Sequence, residues 1–302
     1  MVYNCLIIGG GIAGLQAAIQ LGRYMHKVLV IDSEDGRSSL CRSYHNILGY
    51  PDGVSGDHLR ELGRKQAEAL GVEFLKGKAE TAAMTESDFE VTVSNGETYS
   101  SKRLLLATGV MDRIPPELLP SLRPCLGISV YVCPDCDGYQ VKGKRTIVIG
   151  AGATGVDMVK TLSYWTTDLI YINHEQKPIT KEDREFFQEK SIPYIEAGIK
   201  KTLANEAQLE GFLLENGETI EGNHAFIAFG GNEVRSQLAK QLGVELLENK
   251  HMICDPRTKM TNIRRVWAAG DVAAHSEQVT IAMGEGSQAA IWIHKDIIQD
   301  QE

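Results

Sequence analysis

The sequence predicts an α/β fold built from two related, Rossmann-like nucleotide-binding units. A strand, glycine turn, helix and second strand follow one another twice, around Gly9-x-Gly11-x-x-Gly14 and Gly150-x-Gly152-x-x-Gly155. Just ahead of the second turn stands Cys133-Pro134-Asp135-Cys136-Asp137-Gly138-Tyr139, which holds the chain's only closely spaced cysteines.

The first unit opens with an apolar strand over residues 3–8, the glycine turn, a helix over 15–25 and a strand over 27–31 that closes on Asp32. In such a unit the first glycine makes the tight turn and the second lets backbone approach a pyrophosphate. The third lets helix pack on strand. The free N–H groups and positive dipole end of the helix face the phosphates. Asp32 falls where a carboxylate meets ribose hydroxyls, roughly 20 residues beyond the glycines. Strands are expected over 71–77 and 89–93, with Asn95-Gly96 as a hairpin turn. A buried strand over 103–107 ends in Ala107-Thr108-Gly109. Pro115, Pro116, Pro120 and Pro124 then mark an irregular crossover. The second unit repeats the plan with a strand over 145–149, a helix over 156–164 and a strand over 169–172. Residues 212–214 and 218–220 flank the turn Asn216-Gly217, and a strand over 225–228 leads into Phe229-Gly230-Gly231. A last strand over 265–268 precedes Gly270-Asp271, and one long helix runs over 278–298.

Composition excludes several classes. The chain has 302 residues, enough for about two domains, with 43% hydrophobic and 24% charged residues. A net charge of −9 disfavours nucleic acid and anionic membranes. No apolar run reaches the roughly 18 residues a membrane span needs, and the N-terminus lacks a basic n-region. Cys5, Cys41, Cys125 and Cys254 are scattered, which fits a reducing cytoplasm with one redox pair rather than a stapled secreted fold. No metal site is expected, because zinc wants further Cys or His ligands and no second Cys-x-x-Cys or His-x₃₋₅-His accompanies the pair.

A two-residue spacer lets Cys133 and Cys136 cycle between dithiol and disulfide with little backbone motion. With two dinucleotide turns on the same chain, that pair points to a bound redox cofactor exchanging two electrons with a disulfide.

Taken together, the glycine turns, Ala107-Thr108-Gly109, Cys133-x-x-Cys136-Asp137-Gly138 and Gly270-Asp271 resemble the low-molecular-weight thioredoxin reductases along essentially the whole chain. The resemblance implies two three-layer domains, the second inserted into the first. An FAD domain would comprise 1–113 plus 249–302, and a pyridine-nucleotide domain carrying the cysteines would comprise 114–248. It implies FAD contacts from Gly9, Gly11, Gly14, Asp32, Asn46, Thr108, Gly109, Gly270, Asp271, Gln278 and Val279. NADH or NADPH would meet Gly150, Gly152 and Gly155. Cys136 would lie next to the flavin, Cys133 would attack the substrate, and Asp137 would protonate the leaving thiolate. A cytoplasmic homodimer acting on a thioredoxin-like protein or a small disulfide is implied too. So is a domain rotation, with hinges expected over 112–116 and 243–247.

The match departs from the family at two places. Where its members carry the arginines that bind the 2′-phosphate of NADPH, this chain has Asn173-His174-Glu175-Gln176-Lys177-Pro178. A carboxylate at Glu175 repels a 2′-phosphate and suits a free 2′-hydroxyl. His45-Asn46-Ile47-Leu48-Gly49 replaces an aromatic-proline-glycine turn. The alternatives are a ferredoxin-dependent flavin thioredoxin reductase, a dithiol oxidase that uses oxygen, and a non-catalytic redox-sensing flavoprotein. Retention of Asp137, where such oxidases carry histidine, favours a reductase.

Overall fold

The structure is a computed structural model that describes residues 2–300. The chain divides into two compact units. The first comprises the chain up to Ser39, Gly56–Met111 and the chain from Glu233 onward; the second comprises Leu40–Ser55 and Asp112–Asn232.

In the first unit five parallel strands stand in the order Val266–Ala268, Leu104–Leu106, Cys5–Ile8, Val28–Asp32, Glu73–Lys76. Successive side chains point to opposite faces, and the core divides accordingly. Ile7, Val30, Leu105 and Trp267 pack with Ala17, Leu21, Ala289 and Ile293 of the helices Ile12–Arg23 and Val279–Gln299. Leu6, Ile8, Leu29, Leu104 and Leu106 pack on the other face with Phe89, Val91 and Val93 of a four-stranded sheet. The apolar segment 3–8 is two strands rather than one. Val2–Tyr3 pairs with Ser100 and Ser101, and Cys5–Ile8 lies in the parallel sheet. Asn4 breaks the run, its Oδ1 accepting the Lys27 N–H at 2.8 Å.

The second unit repeats these layers. Its parallel strands stand in the order Val130–Tyr131, His224–Ala228, Thr146–Gly150, Leu169–Asn173, Tyr194–Ile195. Val148, Phe226 and Tyr171 face Val156 and Val159 of the helix Gly152–Leu162 and Phe187 of the helix Lys181–Glu189. Ile147, Ile149 and Ile227 face Phe212 and Leu214 of a three-stranded antiparallel sheet.

Both glycine-turn helices start earlier than expected, at Ile12 and Gly152, because the glycine turn itself forms the first helical turn. The helices Gly56–Glu68 and Lys181–Glu189 were not anticipated. The second carried a readable signal, a capping box between Thr180 and Asp183. The chain passes between units at 232/233 rather than within 243–247. There Gly243, at φ +79°, caps the helix Gln237–Leu242, and Val244 is buried in the first unit's core. Among the described residues no helix is long and apolar enough to cross a membrane.

Candidate active site

The first glycine turn is shaped by close approach. Gly9 has φ +106°, and a Cβ there would stand 2.3 Å from the Ala107 carbonyl oxygen. A Cβ on Gly14 would stand 1.9 Å from the Gly9 oxygen, so helix and turn touch backbone to backbone. At Gly11 a Cβ would meet nothing within 4 Å. That is the geometry a pyrophosphate needs: a rigid turn, a bare backbone face and a helix N-terminus behind it. Sequence reasoning passed over Gly10, whose Cβ would fall 2.7 Å from Asp32 Oδ2. Asp32 ends its strand beside this turn and accepts a hydrogen bond from Arg60 Nη2 at 2.9 Å. Arg60 Nη1 is buried without a hydrogen-bond partner among the described residues, a donor that an anionic ligand would satisfy.

Distant segments complete this site. Gly270 takes φ +80° and lies against Ala13, where a Cβ would be 2.8 Å from the Ala13 Cβ. Burial pushes the Asp271 carboxyl above the usual range, against the pull of Arg37, whose Nη1 lies 3.3 Å away. Arg37 also pairs with Glu277 at 2.5 Å. Behind the Gly270-Asp271 turn the buried Glu285 accepts from Gly270 N–H at 3.0 Å and from Lys259 Nζ and His275 Nε2, both at 2.6 Å. Thr108 Oγ1 donates to the Arg235 carbonyl at 2.5 Å, and Gly109 has φ +70° with open space around it. Gln278 caps the last helix and Val279 begins it. Asn46 is exposed and belongs to the second unit, with the 40–55 segment. Glu285, Arg60 and Arg37 carried no motif by which the sequence could have named them.

Cys133 and Cys136 form a disulfide in the second unit. Cys133 caps the short helix Pro134–Asp137, and its Sγ accepts the Cys136 N–H at 3.2 Å. Asp137 is buried, at 9% exposure, and Gly138 lies flat against the Trp165 indole, 2.7 Å from where a Cβ would stand. Burial raises the Asp137 carboxyl, and the neighbouring His45 pulls it partway back. His45 Nδ1 lies 3.7 Å from Asp137 Oδ1, too long for a hydrogen bond. A proton is therefore retained near the sulfurs to higher pH than an ordinary carboxyl would allow. Burial also pushes the thiols of Cys5 (to about 12), Cys125 and Cys254 upward, which leaves them poor nucleophiles.

The second glycine turn copies the first at Gly150, whose Cβ would stand 2.3 Å from the Ala228 oxygen. At Gly155 a Cβ would meet the Tyr171 ring at 2.3 Å. Glu175 pairs with Lys177 at 2.7 Å and with Arg113. Burial pushes its carboxyl up, and the two cations more than reverse this.

The chain is similar to known proteins over nearly its whole length. The family described as pyridine nucleotide-disulphide oxidoreductase matches residues 3–286. A thioredoxin reductase from Streptomyces clavuligerus is 30% identical over 303 residues, covering 96% of this chain and 92% of its own. One from Treponema pallidum (strain Nichols) is 29% identical over 95% of both chains. The crystal structure of a Bacillus anthracis protein assigned as thioredoxin reductase TrxB is similar with a TM-score of 0.84 and 26% identity, over 99% of this chain and 100% of its own. With its duplicated glycine turns, its Cys133–Cys136 disulfide and relatives that match it over nearly its whole length, this chain belongs to the pyridine nucleotide-disulphide oxidoreductase family, among its thioredoxin reductase-like members.

Proposed function

We propose that this chain is an FAD-dependent disulfide oxidoreductase that passes two electrons through Cys133 and Cys136 to a thioredoxin-type protein or a small disulfide. The observation that carries the reading is the Cys133–Cys136 disulfide beside the buried Asp137, on a chain whose first glycine turn keeps an open pyrophosphate face. FAD would lie on Gly9, Gly11 and Gly14, with Asp32 toward the ribose and Asp271 toward the flavin end. Bound there, it supplies the two-electron exchange that returns the disulfide to the dithiol.

In the forward direction the Cys133 thiolate attacks one sulfur of the target disulfide. A mixed disulfide forms, and the expelled thiolate takes the proton held by Asp137. Cys136, as thiolate, then attacks the Cys133 sulfur. The second target thiolate leaves, to be protonated in turn, and the Cys133–Cys136 disulfide reforms. The target has gained two electrons and the pair has lost two. Asp137 is the proton store and His45 sets how firmly it holds. In this reading the first unit is the FAD domain, the second is the redox-pair domain, and the working form is a cytoplasmic homodimer.

Cys136→Ser tests the assignment. The purified variant should stay yellow with FAD bound and should lose turnover of thioredoxin and of small aromatic disulfides. Full disulfide turnover in that variant would remove Cys136 from the mechanism and the proposal with it.

A further inference from the structure

The family's characteristic donor is a pyridine nucleotide, and its place in this fold is the second glycine turn. The two turns of this chain share a first glycine pressed against a neighbouring carbonyl oxygen, but their backbones differ. Gly9 takes φ +106°, Gly150 takes no positive φ, and the helix starts after the second glycine in one turn and at it in the other. Gly11 has φ −76° and nothing within 4 Å of a Cβ. Gly152 has φ +52°, and a Cβ there would lie 3.0 Å from the Lys177 Cβ and 3.3 Å from the Pro178 carbonyl oxygen. The Cβ direction of Gly11 opens on empty space, whereas that of Gly152, at a φ of opposite sign, meets Lys177 and Pro178 of the chain's own strand-end loop.

Hydrogen bonds latch this loop. The Gly152 N–H, at the start of the helix where a phosphate oxygen would be received, donates to Asn173 Oδ1 at 3.0 Å. Asn173 is fully buried, and its Nδ2 donates to the Lys177 carbonyl at 2.7 Å and to Tyr194 Oη at 2.9 Å. One side chain therefore ties the glycine turn to the loop above it. Tyr171 Oη donates to the Gly152 carbonyl at 2.8 Å and holds the turn from below. The acid that would meet the ribose is engaged as well, since Glu175 is clamped between Lys177 and Arg113. Arg113 in turn donates to the Phe229 carbonyl at 3.2 Å. To seat a dinucleotide, the protein would have to break the Gly152–Asn173 bond and leave buried amide groups unpaired. It would also have to move the loop backbone and part Glu175 from its cations.

We infer that the second nucleotide site is closed by its own strand-end loop, latched by Asn173, and that neither NADPH nor NADH reduces this protein's flavin. The residues present do not fit the family's donor. This rests on the proposed FAD assignment, and the test separates the two. Purified yellow protein is mixed anaerobically, in a stopped-flow cell, with NADPH, with NADH and with dithiothreitol. The inference expects bleaching of the flavin band by dithiothreitol, through the cysteine pair, and none by either nucleotide. A protein that purifies without flavin defeats the functional assignment; a flavin bleached rapidly by NADPH or NADH defeats only the closed-site inference. Asn173→Ala, accepted as folded if dithiothreitol still bleaches its flavin, should gain nucleotide binding at least tenfold as the latch opens, read by quenching of NADPH fluorescence. If such a variant gains none, Asn173 is not the latch and the inference falls.

Discussion

Glu285 is the most exacting test of how the Gly270-Asp271 turn is held together. Its carboxylate accepts three hydrogen bonds, from Lys259 Nζ, His275 Nε2 and the Gly270 N–H. Lys259 is 9% exposed and Glu285 is 6% exposed, so the pair is hardly screened by water. Glu285→Ala strands a buried ammonium and a buried backbone N–H. Breaking one side of a buried ion pair costs about 3–5 kcal/mol. For a unit of this size, each kcal/mol moves the midpoint by roughly 2–4 °C, so a fall of about 10 °C is expected. The assay is thermal unfolding followed by flavin fluorescence, which rises when FAD is released. The Lys259→Met/Glu285→Leu double variant should recover part of the loss, because it removes the orphan ammonium while the Gly270 N–H and His275 still lack their acceptor. The pH profile gives a second readout. The hydrogen bond that His275 donates to Glu285 raises the imidazole above its ordinary value, against the effect of burial. A raised folded-state value stabilises fully below the unfolded value of about 6.5 and is lost as pH rises through the raised value. Wild type should therefore weaken over that window, and Glu285→Ala should not. An Ala variant melting within about 2 °C of wild type, a shift worth no more than roughly 1 kcal/mol, would refute the reasoning.

Three further outcomes follow from the geometry. Gly11→Ala should fold normally, since its Cβ meets no protein atom within 4 Å, yet bind FAD at least tenfold more weakly by occupying the pyrophosphate face; equilibrium titration of apoprotein measures this. Asp137→Asn should slow disulfide turnover by about 10²–10⁴-fold, the usual worth of a positioned general acid. His45→Ala should move the alkaline limb of the pH–rate profile upward, because burial alone then sets the Asp137 carboxyl; an unmoved limb would detach His45 from the acid.

Strands, helices and turns were legible wherever the cause is local. A glycine forced by a backbone 2.3 Å from its Cβ leaves a glycine in the sequence, at Gly9 and again at Gly150. A disulfide across a two-residue spacer leaves two cysteines in one short run. The strand ending at Asp32 and the long last helix were readable from apolar runs and their flanking glycines. Where the cause lies far along the chain, local pattern was silent. Nothing in 40–55 signals that His45 lies beside Asp137, or that this segment packs with the second unit. Lys259, His275 and Glu285 are scattered polar residues until burial forces them to satisfy one another. The two glycine turns make the point most sharply. Both spell Gly-x-Gly-x-x-Gly, because both need a tight turn and close helix packing. That motif specifies the floor of a nucleotide site. What faces the turn is made by residues outside the motif, and the same fingerprint leaves Gly11 facing open space and Gly152 facing Lys177 and Pro178.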